Sequence, residues 1–560
     1  MKWLRDIAAL SMAAACFAAL SSSCAGQTAM GDEGGPVVEA PAGGLQGRRE
    51  GALNVFKGVP YAEAPVGERR WRPPVSAARW DGVRQARDYG PACPQPVARG
   101  ENNIYASDIG AQSEDCLSLN IWAPADAHAA PVIVWIHGGA LTTGSTKETL
   151  YDGARLAAEG VIVVSINYRL GILGYLAHPE LSAESPDHIS GNYGLMDQIE
   201  ALHWVQRNIA AFGGDPSNVT IAGESAGGLS VMFLMASPPA RGLFAKAISQ
   251  SGYMVTMLEL NRASNGGGSA EQVGAAVARA LNAPNLAALR AMDATAIVNA
   301  APGTGYFPFG TVDGRYLTAQ MVETFERGEQ ARVPILAGFN DGEIRSLPFL
   351  IPPPPASAAQ YERAIRERYA DLSDAFLRLY PTTNVRESML ATTRDALYGW
   401  TAERLVRNQT AVGQPGYLYL WDHGYGAADV LGLHAFHASE LPYMWGNLER
   451  TPPRWPAVPR NARERALSAA MVQYWTSFAR TGVPQAANAP AWPAYGAGEA
   501  FMHFRDNGPH ASARLYGGAM FRLHEEAVCR RRATGAQPWN WNVGVISPPL
   551  AVEHAPCAAP

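Results

Sequence analysis

The run Phe212-Gly213-Gly214-Asp215-Pro216-Ser217-Asn218-Val219-Thr220-Ile221-Ala222-Gly223-Glu224-Ser225-Ala226-Gly227 decides the fold. Asn218 to Ala222 reads as a buried strand and Leu229 to Ala236 as an apolar helix. The Gly-x-Ser-x-Gly segment between them is then a sharp strand-to-helix elbow, where only small flanking residues avoid a clash. That geometry lifts the central hydroxyl clear of the backbone, so Ser225 is a candidate nucleophile toward a carbonyl carbon. The alternative is a structural serine in an ordinary turn before a helix. It is the weaker reading because both flanking elements fit the elbow.

A second stretch belongs with the first. Val132-Ile133-Val134-Trp135-Ile136 is an apolar strand that runs into His137-Gly138-Gly139-Ala140. A glycine-rich turn after a strand exposes backbone N–H groups. Such donors hold the negative oxygen of a tetrahedral intermediate, each worth roughly 3 kcal/mol. Alone it would be an ordinary glycine turn; beside the Ser225 elbow it reads as an oxyanion-binding turn. His137 is expected to be a structural wall rather than an acid or base.

Elsewhere strands alternate with helical patterns. Val161 to Ile166, Ala245 to Ile248 and Tyr417 to Trp421 read as strands, and Met196 to Ile209 has apolar residues at helical spacing. This alternation predicts an α/β fold with a mostly parallel central sheet covered by helices on both faces. Loops at the C-terminal ends of the strands then carry the chemistry. The segments from Gly252 to Phe307 and from Ser346 to Ala396 are helical in character and are expected to form cap insertions.

At 560 residues the chain is long enough for one large domain; its net charge of −5 gives no basic face for nucleic acid. The basic run Arg530-Arg531-Arg532 reads as a solvated tail. Lys2 and Arg5, the apolar stretch Ile7 to Leu20 and the small residues Ser21 to Ala25 read as a secretory signal over residues 1–25. The apolar stretch falls short of the about 20 residues a membrane span needs. Cys24 is an alternative lipid-bearing residue, although Ser21 stands where an aliphatic residue is expected. Residues 26–35 form an extended lead-in, and the export signal implies a secreted or periplasmic protein. Cys16 and Cys24 leave with the signal, so Cys93, Cys116, Cys529 and Cys557 remain, expected to be oxidised, with their pairing open.

The elbow run resembles the serine signature of the type-B carboxylesterase/lipase family, which includes cholinesterases and bacterial p-nitrobenzyl esterases. A second signature of that family appears at Glu114-Asp115-Cys116-Leu117-Ser118-Leu119-Asn120-Ile121-Trp122-Ala123-Pro124. Further matches are Phe56 to Ala62, Asn167-Tyr168-Arg169-Leu170-Gly171, Gly191 to Gln198 and Gln250-Ser251-Gly252. The resemblance runs from near Pro36 to near His524 and implies an α/β-hydrolase domain over residues 36–528 with a C-terminal tail over 529–560. It implies Glu343 as the catalytic acid, in Phe339-Asn340-Asp341-Gly342-Glu343, with Asp341 as rival because the usual acid-acid-glycine order is altered. It implies His437 as the base, in His434-Ala435-Phe436-His437-Ala438-Ser439-Glu440, with His434 a pocket or surface residue. The oxyanion donors carried over are the N–H groups of Gly139, Ala140 and Ala226. Ser251 matches a serine near the acid in relatives, or is a satisfied buried hydroxyl. The resemblance pairs Cys93 with Cys116, which leaves Cys529 for Cys557.

The activity implied is hydrolysis of a small-molecule carboxylic ester through an acyl-enzyme, with no cofactor and no metal. A His434/His437 metal pair lacks any supporting ligand pattern. A lipase, an amidase or a specialised detoxifying esterase are alternatives on the same fold. A non-catalytic binding protein is disfavoured because serine, glutamate and histidine are all present.

Overall fold

Alternation along the central strands sends side chains to two separate cores, as the two-residue period of a strand requires. Val132, Val134 and Ile136 face one core, while Ile133 and Trp135 face the other. Leu418 and Leu420 join the first, and Tyr417, Tyr419 and Trp421 the second. Helices cover both faces, so the continuous apolar runs of the sequence are strands buried on two sides. In the computed structural model the described residues are 34–96, 103–540, 543–551 and 557. The predicted signal segment, Cys24 and lead-in residues 26–33 lie outside them.

From Pro36 onward the chain forms one compact unit. Its large sheet has 11 strands among the described residues. In chain order these are β1 (Arg48–Glu50), β2 (Leu53–Pro60), β3 (Ser118–Pro124) and β4 (Ala130–Ile136). β5 (Ile162–Ile166), β6 (Gly214–Glu224), β7 (Lys246–Gln250) and β8 (Ile335–Asn340) follow. β9 (Gly416–Asp422), β10 (Ala500–Arg505) and β11 (Gly508–Ala513) complete it. The spatial order is β11-β10-β9-β8-β7-β6-β4-β5-β3-β2-β1. Strands from β5 through β10 pair in parallel, and the strands at either edge are antiparallel. This is the mostly parallel sheet the sequence predicts.

Register lines up the strand ends. Ile136 pairs with Gly223, Glu224 with Gln250, Gln250 with Gly338, and Asn340 with Trp421. The turns after β4, β6 and β8 therefore emerge along one edge. Two sequence motifs meet beneath it: Arg169 Nε and Nη2 donate to the Asp197 carboxylate at 2.7 and 2.6 Å. Both residues are buried, so the bidentate geometry offsets their desolvation. The two segments expected as insertions are helical, with Ala270–Ala280, Leu286–Ala291 and Ala294–Ala300 in the first. The second contains Ala358–Tyr369, Ser373–Leu379 and Val385–Arg394.

The basic run near the C-terminus is not a solvated tail. It lies in the helix Ala519–Thr534, with Arg530 and Arg531 buried. Arg530 holds the Asp371 carboxylate at 2.6 and 3.0 Å, and Arg532 reaches Glu326 at 2.6 Å. Charge composition alone cannot see these partners, which lie well over a hundred residues away in sequence.

Disulfides join Cys93 to Cys116 and Cys529 to Cys557. Cys93 and Cys116 are buried beside the start of β3. Replacing both with alanine is expected to destabilise the fold by about 3 kcal/mol, the loop-closure entropy of a segment this long. Denaturant unfolding of the double variant against the wild type measures it.

Candidate active site

β6 ends at Glu224 and the helix Ala226–Ala236 starts two residues later. The reversal is made at Ser225 alone, with φ 58° and ψ −120°. A non-glycine residue in that region costs of order 1–3 kcal/mol. The surroundings hold it: the Ser225 N–H donates to Gln250 O at 2.9 Å, and Ser225 O accepts from Leu229 N at 2.8 Å. The small flanking residues have a direct cause. A Cβ at Gly227 would stand 2.0 Å from the Ile136 carbonyl oxygen. Every residue of the helix is buried, whereas Ser225 is half-exposed.

The glycine turn after β4 lies against this elbow, since a Cβ at Gly138 would meet Ser225 Cβ at 3.3 Å. Gly139 and Ala140 take φ of 103° and 55°, and Gly139 O accepts from Thr142 N and Thr143 N at 2.9 Å each. Among the described residues the N–H groups of Gly139 and Ala140 donate to no other group. Ala226 opens its helix, so its N–H is one of the donors a helix leaves without an internal partner. His137 is 1 % exposed and stacks on Tyr168 at 4.6 Å. Burial holds its pKa down to about 4, so it is a neutral wall, as expected.

Glu343 is fully buried. Its Oε1 accepts the Asn340 N–H at 2.8 Å and its Oε2 meets His437 Nδ1. Asp341 turns away, accepting from Arg394 Nη1 and the Tyr516 hydroxyl at 2.6 Å each. The altered acid-glycine-acid order has a reason as well. A Cβ at Gly342 would come 2.7 Å from Leu433 O, and the Gly342 N–H donates to Ala435 O at 2.8 Å. That contact brings the histidine loop alongside the glutamate.

His437 Nε2 lies 3.1 Å from Glu224 Oε1, at an angle that makes no hydrogen bond. Burial alone pushes the His437 pKa down. The carboxylates of Glu224, Glu343 and Glu440 outweigh it and raise the value to about 9. Burial raises Glu224 to about 8 and Glu440 to about 7. Glu224 rises for a different reason: burial lifts it and the neighbouring Glu440 and Glu343 add to the rise, while His437 opposes it.

Several groups at the site have no role in the sequence reading. Glu440 accepts Gln250 Nε2 at 2.9 Å and Asn340 Nδ2 at 2.6 Å, and Trp475 Nε1 holds Gln250 Oε1 at 2.9 Å. Tyr105 donates to His437 O at 2.9 Å, and the Tyr398 ring lies 5.4 Å from the imidazole. Glu224, Gln250, Asn340 and Glu440 all stand inside the quoted motifs; what a motif does not give is side-chain direction. Ser251 has its N–H on Gly338 O at 2.8 Å, and its buried hydroxyl has no partner among the described residues. Among the described residues it makes no hydrogen bond to Glu343.

His434 sits in a different cluster. Asp341, Asp422 and His434 gather ligand-type atoms within 4.8 Å of one another. Protein groups already engage them: Asp422 meets His434 at 3.0 Å and His503 at 2.9 Å, and Asp341 holds Arg394. His434 and His437 therefore serve separate networks.

The Carboxylesterase family matches residues 34–516. The chain belongs to that family. It is a carboxylic-ester hydrolase with the α/β-hydrolase fold. It is 35% identical over 464 residues to "Fumonisin B1 esterase" of Sphingopyxis macrogoltabida, covering 80% of this chain and 82% of that protein. It is likewise 35% identical over 482 residues to "Para-nitrobenzyl esterase" of Bacillus subtilis (strain 168), covering 82% and 92%. A solved PNB esterase structure superposes with a TM-score of 0.75 at 32% identity, covering 87% of this chain and 99% of that one.

The elbow makes a sharp demand on volume. Gly227→Ala is expected to cost about 3 kcal/mol or more, at the top of the overpacking range, because the obstacle is backbone. Equilibrium unfolding of the variant tests it.

Proposed function

We propose that the chain is an exported serine esterase in which Ser225, His437 and Glu343 form a catalytic triad. The observation that carries this reading is the buried contact of His437 Nδ1 with Glu343 Oε2, with Nε2 of the same ring 3.1 Å from Glu224, the residue before a strained, partly exposed serine. Ser225 Oγ attacks the ester carbonyl carbon while His437 Nε2 takes the hydroxyl proton. Glu343 accepts from Nδ1–H, fixing the tautomer and stabilising the imidazolium. The N–H groups of Gly139, Ala140 and Ala226 hold the oxyanion. Collapse expels the alcohol, which leaves with the proton from His437. Water then attacks the acyl-enzyme with His437 again as base, and the acid product and free Ser225 are restored.

The two disulfides support folding in an oxidising compartment, as does the signal-like N-terminus. Among the described residues no helix is long and apolar enough to cross a membrane. Secretion or a periplasmic location follows from this reading, with Cys24 the alternative lipid-bearing residue. N-terminal sequencing of the native protein tests it, and an intact Met1 would overturn it.

Ser225→Ala is expected to remove at least about 10³-fold of ester turnover with folding intact. Glu343→Gln is expected to damage turnover far more than Asp341→Asn. Stoichiometric fluorophosphonate labelling of a different serine would sink the assignment. A panel of p-nitrophenyl esters of rising acyl length, with bulky and polycarboxylic esters added, defines the substrate class.

The pH dependence has a definite sign. His437 must be unprotonated to act as base, so kcat/KM rises with pH through its ionisation, on a limb displaced toward alkaline values. Glu224→Gln removes one of the raising carboxylates and is expected to move that limb to lower pH by about one unit. An unmoved limb would show that Glu224 does not bear on the base.

A further inference from the structure

The C-terminal segment lies beyond the family match, which stops at residue 516, yet it packs onto the site. Cys529 in the helix Ala519–Thr534 is bridged to Cys557, closing a loop of 28 residues. Within that loop the chain folds back. Arg531, 2 % exposed, donates to Trp539 O at 3.4 Å and to Ser547 Oγ, and lies over the Tyr369 ring. Trp539 is buried near Trp400, and its N–H donates to Thr256 Oγ1 at 2.8 Å.

The next residue makes the decisive contact. Asn540 is 1 % exposed. Its Nδ2 donates to two backbone carbonyls from distant segments, Met254 O at 2.9 Å and Ala396 O at 3.0 Å. Tyr253 adjoins the first carbonyl and Tyr398 lies two residues past the second. Their rings meet edge to face at 5.9 Å, and Tyr398 stands 5.4 Å from the His437 imidazole. Tyr398 belongs to a π-helical turn, Asp395–Gly399. Such a turn breaks the regular helical ladder, so its placement depends on outside contacts. One side-chain amide thus ties together the two backbones that carry the aromatic wall of the histidine.

We propose that the described residues from Cys529 to Asn540, tethered by the Cys529–Cys557 disulfide, form an intramolecular clasp that sets Tyr398 against His437, with Asn540 as its positioning residue. The proposal rests on His437 being the base of the ester hydrolysis. The clasp acts by limiting the swing of the imidazole, which must face first the serine and then the leaving alcohol. It therefore bears on the chemical step rather than on substrate capture.

The test is steady-state hydrolysis of p-nitrophenyl esters by the full chain. Asn540→Ala is expected to lower kcat about tenfold with KM little changed, the signature of a misplaced catalytic group. Tyr398→Ala is measured alone and combined with Asn540→Ala. If Asn540 acts through Tyr398, adding Asn540→Ala to Tyr398→Ala costs less than about twofold more. Should Asn540→Ala fail to fold, Cys529→Ser/Cys557→Ser is read in the same two ways. An unchanged kcat, a fall confined to KM, or losses that multiply in the double variant would overturn the clasp. His437→Ala keeps the two claims apart. If it leaves turnover intact, the base assignment fails; if it abolishes turnover while Asn540→Ala has no effect on kcat, only the clasp fails.

Discussion

A backbone crossing sets the geometry of the whole site. The start of the Ala226–Ala236 helix passes so close to the end of β4 that a single methyl at Gly227 would stand 2.0 Å from Ile136 O. That approach is allowed by glycine and fixed by the parallel register of Ile136 with Gly223. Its consequences follow in order. The chain must reverse at one residue, which places Ser225 in a left-handed conformation with its side chain free of the helix. The glycine turn after β4 is pressed against the same elbow, where a Cβ at Gly138 would stand 3.3 Å from Ser225 Cβ. A looser crossing would relax the strain at Ser225 and separate the serine from that turn together.

The rest of the sheet extends this alignment. Gln250, at the end of β7, uses both ends of its structure. Its carbonyl takes the Ser225 N–H, and its side chain spans from Trp475 to Glu440. Asn340, at the end of β8, gives its N–H to Glu343 and its amide to Glu440 and Phe436 O. Two buried residues at adjacent strand ends therefore tie Ser225, Glu343 and the His437 loop into one hydrogen-bonded layer.

The sheet was legible in the sequence because its strands are apolar on both faces and its turns carry glycine. The Ser225 elbow and the glycine turn were legible for the same reason: they are local, and their constraint is steric. The carboxylate partner of His437 was harder. Glu343 and Asp341 flank one glycine, and only the Leu433–Ala435 backbone packed over Gly342 decides which carboxylate faces the histidine. Residues such as Tyr398, Tyr105 and Asn540 left no signal, because their contacts join segments far apart in the chain. The arginine run misled for the same reason. Its charge looked solvated until its partners on other helices were in view.

The electrostatics around His437 complete the argument. Three buried carboxyl groups surround one imidazole, and because an unpaired buried charge is costly, burial raises Glu224 to about 8 and Glu440 to about 7. Glu440 is compensated by the amides of Asn340 and Gln250, and Glu343 by a backbone N–H and the histidine itself. Glu224 is left with one oxygen facing Nε2 and no hydrogen bond to it. The uncompensated acceptor thus belongs to the residue before Ser225 and faces Nε2 of His437. A proton on the imidazole relieves it, as does one on Glu224 itself, whose pKa burial lifts to about 8. Among the described residues Ser251 Oγ and Asn340 Oδ1 share that lack of a partner, so the layer behind the histidine is polar without being fully paired.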